Sequence, residues 1–379
     1  MLKNVQLSLM IGPVVPLPVP REVVEALESV QVTHNTDAPS GFQLVFSLSS
    51  KSILNTLLLL LPQMGPAVQV VRVVLTLVVN GTPSVLMDGM LTQQDVSPDV
   101  QTGKTTLTLT GKDISAAMDH VELSGIPYPA MPANLRVMTI LAKYAVFGLI
   151  PMVFPPIVPD VPLPIEEIPG QQGTDYQYVT QLACQVGYVF YVEPGPVPLT
   201  NTAYWGPEIK TGVPPPALNV NMPMKAADNV ESLSFSFDGL SSTLPIVLIQ
   251  NRETKATIPI PIPDLNPLQP PLGLTGLIPT KIETLKDTAK MNPARAIMTG
   301  LAVASASSEA VKGTGTLDVL RYGRILKARG LVGVRGAGEA FDGLYFVKSV
   351  THNLKRGEYK QNFSLTRNGL VSTVPKVPA

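Results

Sequence analysis

Charge is the scarcest property of this sequence. Only 15% of its 379 residues are Asp, Glu, Lys or Arg, against about 25% in an ordinary soluble domain. The 28 basic residues balance the 28 acidic ones, so there is no net positive charge to hold nucleic acid or an anionic membrane surface. A chain that is 45% hydrophobic with so few charges leaves apolar surface, which large contacts with other subunits would cover. Cys184 is the one cysteine; this excludes a disulfide framework and favours a cytosolic origin. His34, His120 and His352 fall in different regions without ligand-spaced partners, so no His/Cys metal site is expected and each reads as structural. Membrane-length apolar runs are lacking too. Leu57 to Leu61 is too short, and Tyr144 to Val158 is interrupted by Pro151, Pro155 and Pro156; neither reaches ~18 residues.

Catalytic signatures are also missing. There is no Walker loop and no Gly-x-Ser-x-Gly nucleophile elbow. Gly333, Gly336 and Gly338 have the glycine density of a dinucleotide loop, but a turn and a strand follow where a helix is required. Asp175 has no partner carboxylate or histidine in prospect, and helix capping accounts for it. Glu166-Glu167 reads as a solvated pair between prolines. Lys348, Lys355, Arg356, Lys360 and Arg367 concentrate late in the chain; an acidic partner surface is one reading of them, but on alternating strands the usual one is a solvent-exposed face. The Met, Leu and Val richness of 53–79 suits a core or subunit interface better than a ligand pocket. The chain is therefore expected not to be an enzyme and to carry no cofactor.

What is abundant is proline: 38 residues, roughly twice the usual ~5%. It clusters at 13–20, 151–169, 194–216 and 258–280. Disordered proline-rich segments are usually polar and charged, whereas here the neighbours are Val, Ile and Leu. Extended, polyproline-like connectors lying on other domains or subunits are the better reading. The N-terminus has a lysine before an apolar stretch, but Val5-Gln6-Leu7-Ser8-Leu9 alternates and Gly12-Pro13 interrupts it, so a strand is expected rather than a signal peptide.

Residues 1–110 read mostly as strands. Phe42, Leu44, Phe46 and Leu48 alternate; Val68 to Val79 is a long β-branched run ending in Asn80-Gly81; Val85-Leu-Met precedes Asp88-Gly89, and Thr105 to Thr110 alternates again. A short helix is expected over Arg21 to Val30, and a small barrel with long connections fits the whole. From Gly111 to about Ala203 the pattern is helical, broken by proline loops. Its clearest helix opens at Thr174, which can cap it while Gln177 reaches back and Asp175 meets the positive end of the dipole. Val179, Leu182, Ala183 and Val186 form the apolar stripe, Gly187 gives a left-handed stop, and Tyr188 begins a strand. From Tyr204 strands return, with Val230 to Phe237 alternating cleanly. A proline-rich excursion and a helix around Pro293 to Glu309 occupy about 256–310. Three runs close the chain: Val332/Val334, Leu344 to Leu354 and Tyr359 to Thr366. They are punctuated by Asp342-Gly343, Arg356-Gly357-Glu358 and Asn368-Gly369, an antiparallel meander with one buried face.

Two of these segments carry a resemblance. Phe341-Asp342-Gly343-Leu344-Tyr345-Phe346-Val347, Val350-Thr351-His352 and Tyr359 through Arg367-Asn368-Gly369 resemble the closing barrel of the late control D family, the hub proteins of contractile phage tails and related injection machines. Thr174-Asp175-Tyr176 through Gly187-Tyr188-Val189-Phe190-Tyr191 resembles the family's middle domain. The order and spacing of the two motifs match, across two thirds of the chain. The resemblance implies a β-dominated α+β protein. Residues 1–110 and 204–379 would be similar tail-tube-like barrels, a repeat that residue identities do not reveal, flanking a mixed α/β insert at 111–203. It further implies a homotrimeric adaptor that joins a sixfold inner tube to a threefold spike within a baseplate that includes wedge proteins. Such a protein would be made in the bacterial cytoplasm and built into the particle. In some relatives, the type VI secretion spikes, hub and spike share one polypeptide. This sequence ends within ten residues of Gly369, with no oligonucleotide-fold domain or needle, so a separate spike chain is expected. The rival reading is a peripheral tail protein that binds carbohydrate or a receptor, which needs exposed aromatic platforms; the chain has one tryptophan, Trp205.

Overall fold

Period-two alternation becomes burial in the first region. In a computed structural model of the chain, residues 5–13, 15–48, 71–98, 103–158, 160–165, 167–250, 256–264, 269–276, 279, 281–374 and 377 are described. The run Leu57 to Leu61, the start of the Val68 run and Glu166 lie outside them. The first region contains β1 (Val5–Gly12), β2 (Leu17–Pro18), helix α1 (Arg21–Ala26), β3 (Leu27–Asn35), β4 (Gly41–Leu48), β5 (Arg72–Val79), β6 (Thr82–Pro98) and β7 (Thr105–Asp113). Phe42, Leu44, Phe46 and Leu48 of β4 all point into the core. Asn80 and Gly81, both at positive φ, turn β5 into β6 as an Asn-Gly hairpin should. Two expectations fail. The Arg21 helix stops at Ala26, because Val30 and Val32 belong to a strand whose alternating face is buried. Asp88-Gly89 is no turn: β6 runs straight through it, with Asp88 bonded by both oxygens to Arg72 in a buried pair.

The middle region holds helix α2 (Ala133–Ala142), β8 (Leu149–Val153), helix α3 (Asp175–Gln185), β9 (Val189–Pro194) and β10 (Asn201–Gly206). The three strands form a separate sheet in the order β8-β10-β9. Trp205, fully buried, packs there with Val179, Leu182, Ala183, Val137 and Ile140. Tyr204, where strands were expected to return, lies inside this small sheet.

The last region runs β11 (Leu218–Asn219), β12 (Val230–Phe237), β13 (Thr243–Gln250), β14 (Thr257–Pro261), β15 (Gly273–Gly276), β16 (Lys281–Leu285), helix α4 (Pro293–Ser307), β17 (Val311–Asp318), helix α5 (Val319–Tyr322), β18 (Leu331–Arg335), β19 (Gly343–Lys355), β20 (Glu358–Arg367) and β21 (Gly369–Ser372). The excursion is structured: β13, β14 and β16 make a sheet on which α4 packs. Pro259 and Pro261 stand opposite Leu248 and Ile246 in β14. Proline cannot donate, so these must be the non-bonded pairs. The two prolines thus remove N–H groups from the free edge, a recognised way of blunting it.

The main sheet has 13 strands. Its path is β12-β17-β20-β19-β3-β4-β7-β6-β5-β1-β2, with β18 on β19 and β11 on β18. The first and last regions therefore share one sheet, joined where β3 pairs antiparallel with β19 from Asn35↔Ser349 to Ser29↔Lys355. Their cores are continuous, since Leu44 and Phe46 belong to one cluster with Tyr345 and Phe363. Among the described residues no sheet closes into a barrel. In the first region β1 and β3 stay apart across a cleft of about 1230 Å³, lined by Leu7, Pro18, Val24 and Ser29 among others.

A repeat invisible in the residues is plain in the topology. β3-β4-β7-β6-β5 and β12-β17-β20-β19-β18 follow the same chain order and the same antiparallel neighbour pattern; the sixth strands differ, β1 running antiparallel to β5 and the two-residue β11 parallel to β18. Two of the bulges recur, while a third, at Leu86 of β6 against β5, has no counterpart between β18 and β19. Glu28 is the extra residue in β3 against β4, and Glu231 is the extra residue in β12 against β17. Thr92 bulges from β6 against β7, and Lys348 from β19 against β20. Bulges bend a strand and fix register, so two matched pairs of them define the same unit built twice.

Candidate functional site at the junction of the three regions

Helix α3 forms as its sequence dictates. The Thr174 hydroxyl accepts from the Gln177 N–H while the Gln177 side chain accepts from the Thr174 N–H, a complete capping box. Gly187, at φ 68°, ends the helix; a Cβ there would stand 3.0 Å from Cα of Ala302 in α4. Asp175 does more than answer the dipole. It is 1% exposed and accepts from Lys143 Nζ at 3.1 and 3.2 Å, Tyr144 Oη at 2.8 Å and Gln171 Nε2 at 2.7 Å. Gln171 in turn accepts from Tyr128 Oη at 2.9 Å. One carboxylate thus fastens the end of α2 and the loop before α3. Burial, with Asp175 adding to it, pushes the Tyr144 hydroxyl upward. Tyr188 donates to the Pro155 carbonyl and meets Trp205 edge-on.

The closing motif also folds upon itself. Arg367, 1% exposed, donates to the carbonyls of Gly369, Asp342 and Ala340 at 2.7, 2.9 and 2.6 Å. Its guanidinium lies 4.4 Å from the Tyr345 ring centre. Asp342 accepts from the Ala337 N–H, and Tyr345 Oη donates to Phe341. Gly343, at φ 119°, has no space for a side chain, since a Cβ would lie 2.0 Å from that of Ser372. Gly369 pairs with Gly276 across β21 and β15. These residues hold one turn in place.

Basic residues were expected along an exposed face, and two depart from it. Arg367 is buried in its clamp. Lys348 is the bulged residue of β19, which turns it off the alternation and into a charge cluster. It meets Glu208 at 2.6 Å, Glu309 at 3.3 Å and Asp37 at 3.6 Å, while Lys210 reaches Glu208 and Glu309 at 3.2 and 3.4 Å. Lys355 and Arg356 are exposed and Lys360 half-buried. Glu231 and Glu358 accompany Lys360.

The β3–β19 seam brings together residues that the sequence keeps far apart. His34 and His352 stand edge to face, 5.4 Å between ring centres. His352 Nδ1 is 2.8 Å from Tyr359 Oη and 3.3 Å from Gln361 Nε2. Burial, then the charge of His34, pushes the His352 pKa well down. Burial and the Arg329 charge bring His34 to about 3, against an opposing hydrogen bond to the backbone of Leu86. Beside them Arg329, at φ 63°, donates to the Asn35 carbonyl at 2.5 Å and to Ser40 Oγ at 3.1 Å. Its guanidinium carbon sits 3.9 Å from the Tyr191 ring centre. Arg329 therefore touches the first and middle regions from the last. Sequence reading missed it: an arginine two residues before a strand carries no signal of partners so distant in the chain.

The histidines face tyrosine and glutamine rather than a nucleophile, and no His/Cys/Asp/Glu group able to hold a metal occurs among the described residues. Trp205 is fully buried, its Nε1 donating to the Val179 carbonyl, so it offers no platform to a sugar. What the arrangement does is lock three regions together.

No family model matches the chain, and no curated protein does. Its fold, however, is that of solved structures. A tail protein from Neisseria meningitidis MC58 is 15% identical, with a TM-score of 0.62 over 98% of this chain and 99% of that one. The 43 kDa tail protein of prophage MuSo2 from Shewanella oneidensis is 13% identical, with a TM-score of 0.61 over 96% and 98%. A chain of a Francisella PdpA-VgrG complex is 8% identical, with a TM-score of 0.59 over all of this chain and 55% of that one.

Proposed function

We propose that this protein is the structural hub of a contractile tail or injection system. Three copies form a ring that joins a sixfold inner tube to a threefold spike carried by a separate chain, within a baseplate that includes wedge proteins. The observation that carries this reading is the duplicated unit. Five strands with the same connections and two matched bulges occur twice in one chain, so three copies present six similar units to a tube. The match of the whole chain to tail proteins supports it, as does a surface that carries apolar side chains such as Ile150, Met152, Ile165 and Leu240. In this reading 1–110 and 204–379 are the two tube-like units, completed as barrels in the assembly. Residues 111–203 are the mixed middle domain, and about 256–310 an excursion. Thr174, Asp175, Gln177, Gly187 and Tyr188 hold the middle domain's helix; Asp342, Gly343, Tyr345, His352, Arg367 and Gly369 hold the second unit's meander. The role is mechanical, with neither cofactor nor turnover, and the protein passes from the bacterial cytoplasm into the particle.

Mass measurement by light scattering on the purified protein, alone and with its spike, tests this. A homotrimer is expected. A monomer under both conditions, or a hexamer, overturns the hub.

A further inference from the structure

The duplicated unit leaves two edges that the fold itself shows how to join. Within one chain the first unit meets the second where β3 pairs with the far half of β19. The counterparts of those strands are β12 and the far half of β6. Among the described residues both are unpaired on the corresponding side: β12 bonds there to β17 alone, and residues 93–98 of β6 to β7 alone. Both are exposed over most of their length. At the internal seam Val32 and Val350 are 0% and His352 2% exposed, whereas Val96 and Phe237 at the open edges are 44% and 43% exposed.

We propose that β12 of one copy pairs antiparallel with residues 93–98 of β6 in the next copy, repeating the internal seam between copies. The inference rests on the ring of copies proposed above and specifies its contact. The matched bulges set the register. Thr33 pairs with Thr351, their hydroxyls 3.1 Å apart; Ser236 and Asp95 occupy the same places relative to Glu231 and Thr92. The same alignment puts Phe235 opposite Val96, as Val32 faces His352. It puts Phe237 opposite Gln94, as His34 faces Val350, and Ser234 opposite Ser97, as Gln31 faces Asn353. The contact is head-to-tail, using a different edge on each copy, and such a contact repeats until a ring closes. Closure pairs both edges, which otherwise stand as templates for uncontrolled strand addition. It also covers Val96 and Phe237.

Disulfide trapping tests the register. In a Cys184→Ser background, Ser236→Cys with Asp95→Cys should give, on mild oxidation, a ladder of covalently joined copies on a non-reducing gel. Ser236→Cys with Ser97→Cys is diagonal, with backbones beyond the ~7 Å that a disulfide spans, and should give little. Thr33→Cys with Thr351→Cys reports on folding and should close within one chain without a ladder. A protein whose native mass is that of one copy overturns the hub reading and this pairing with it. An oligomer that forms the Thr33–Thr351 bridge but withholds the Ser236–Asp95 ladder, or crosslinks equally through Ser97, overturns the pairing and leaves the hub standing.

Discussion

At the scale of single residues, the chain uses buried polar groups as fasteners between segments far apart in sequence. Asp175, Arg367, Lys348 and Arg329 each satisfy several partners, as buried charge must. The paired histidines are the exception, because they are kept neutral. Their pKa values in the fold lie below the ordinary value near 6.5, that of His34 at about 3. The unfolded chain therefore takes up protons first as pH falls. The seam should be at full strength above about pH 6.5 and weaken progressively toward about pH 3, because the folded state can accept the protons only at a cost. Carboxylates titrate over part of this window, so the comparison must be with a His34→Gln variant. Thermal melting followed from pH 7 to pH 4 should show a steeper loss for the parent than for the variant. Equal slopes would mean that His34 is protonated in the fold without penalty.

At the scale of elements, legibility depended on whether partners are local. The capping box of α3 and the alternation of β18, β19 and β20 could be read because each signal lies within about ten residues. Asp88-Gly89 misled because its turn-like composition is local while Arg72, which buries Asp88, lies on another strand. The Arg21 helix was overextended because Leu27 fits both the helical stripe and the strand that begins there. The extended reading of Ile258 to Pro263 survived in part, as β14, but alternation says which face a strand buries and never which strand lies beside it. Helix α3 makes the energetic case. Removing its cap by Thr174→Ala should cost about 1 kcal/mol, because the Gln177 N–H loses its acceptor. Leu182→Asp puts a charge among Val179, Tyr178 and Trp205 and should cost several kcal/mol. Chemical denaturation should rank the two in that order. On the hub reading, the second variant should lose assembly while the main sheet keeps its far-ultraviolet signal. Normal assembly of Leu182→Asp would show that the middle region's core is not needed for it.

At the scale of the whole molecule, the duplication was beyond residue-level reading because it is written in connection order and bulge position, and neither constrains side-chain identity. It also separates what the sheet needs from what was added to it. In the first unit β3 and β4 are joined by the short turn Thr36–Ser40; in the second, β12 and β17 are joined by the whole excursion that contains β13, β14, β15, β16 and α4. The strands flanking that excursion keep the same antiparallel register and the same bulge as their counterparts. The cost of closing a loop grows only slowly with length, so a long insertion is tolerated there and its removal should be tolerated too. Replacing residues 241–306 by a short Gly-Ser linker should leave a cooperatively melting β protein, with Glu309 still in place for Lys348 and Lys210. Two losses are expected: α3 gives up the contact of Gly187 with Ala302, so the middle region should melt a few degrees earlier, and β21 gives up its pairing with β15, so the turn held by Arg367 should loosen. Circular dichroism and differential scanning calorimetry distinguish the outcomes. A chain that no longer folds would show that the excursion is part of the sheet's core rather than an addition to it.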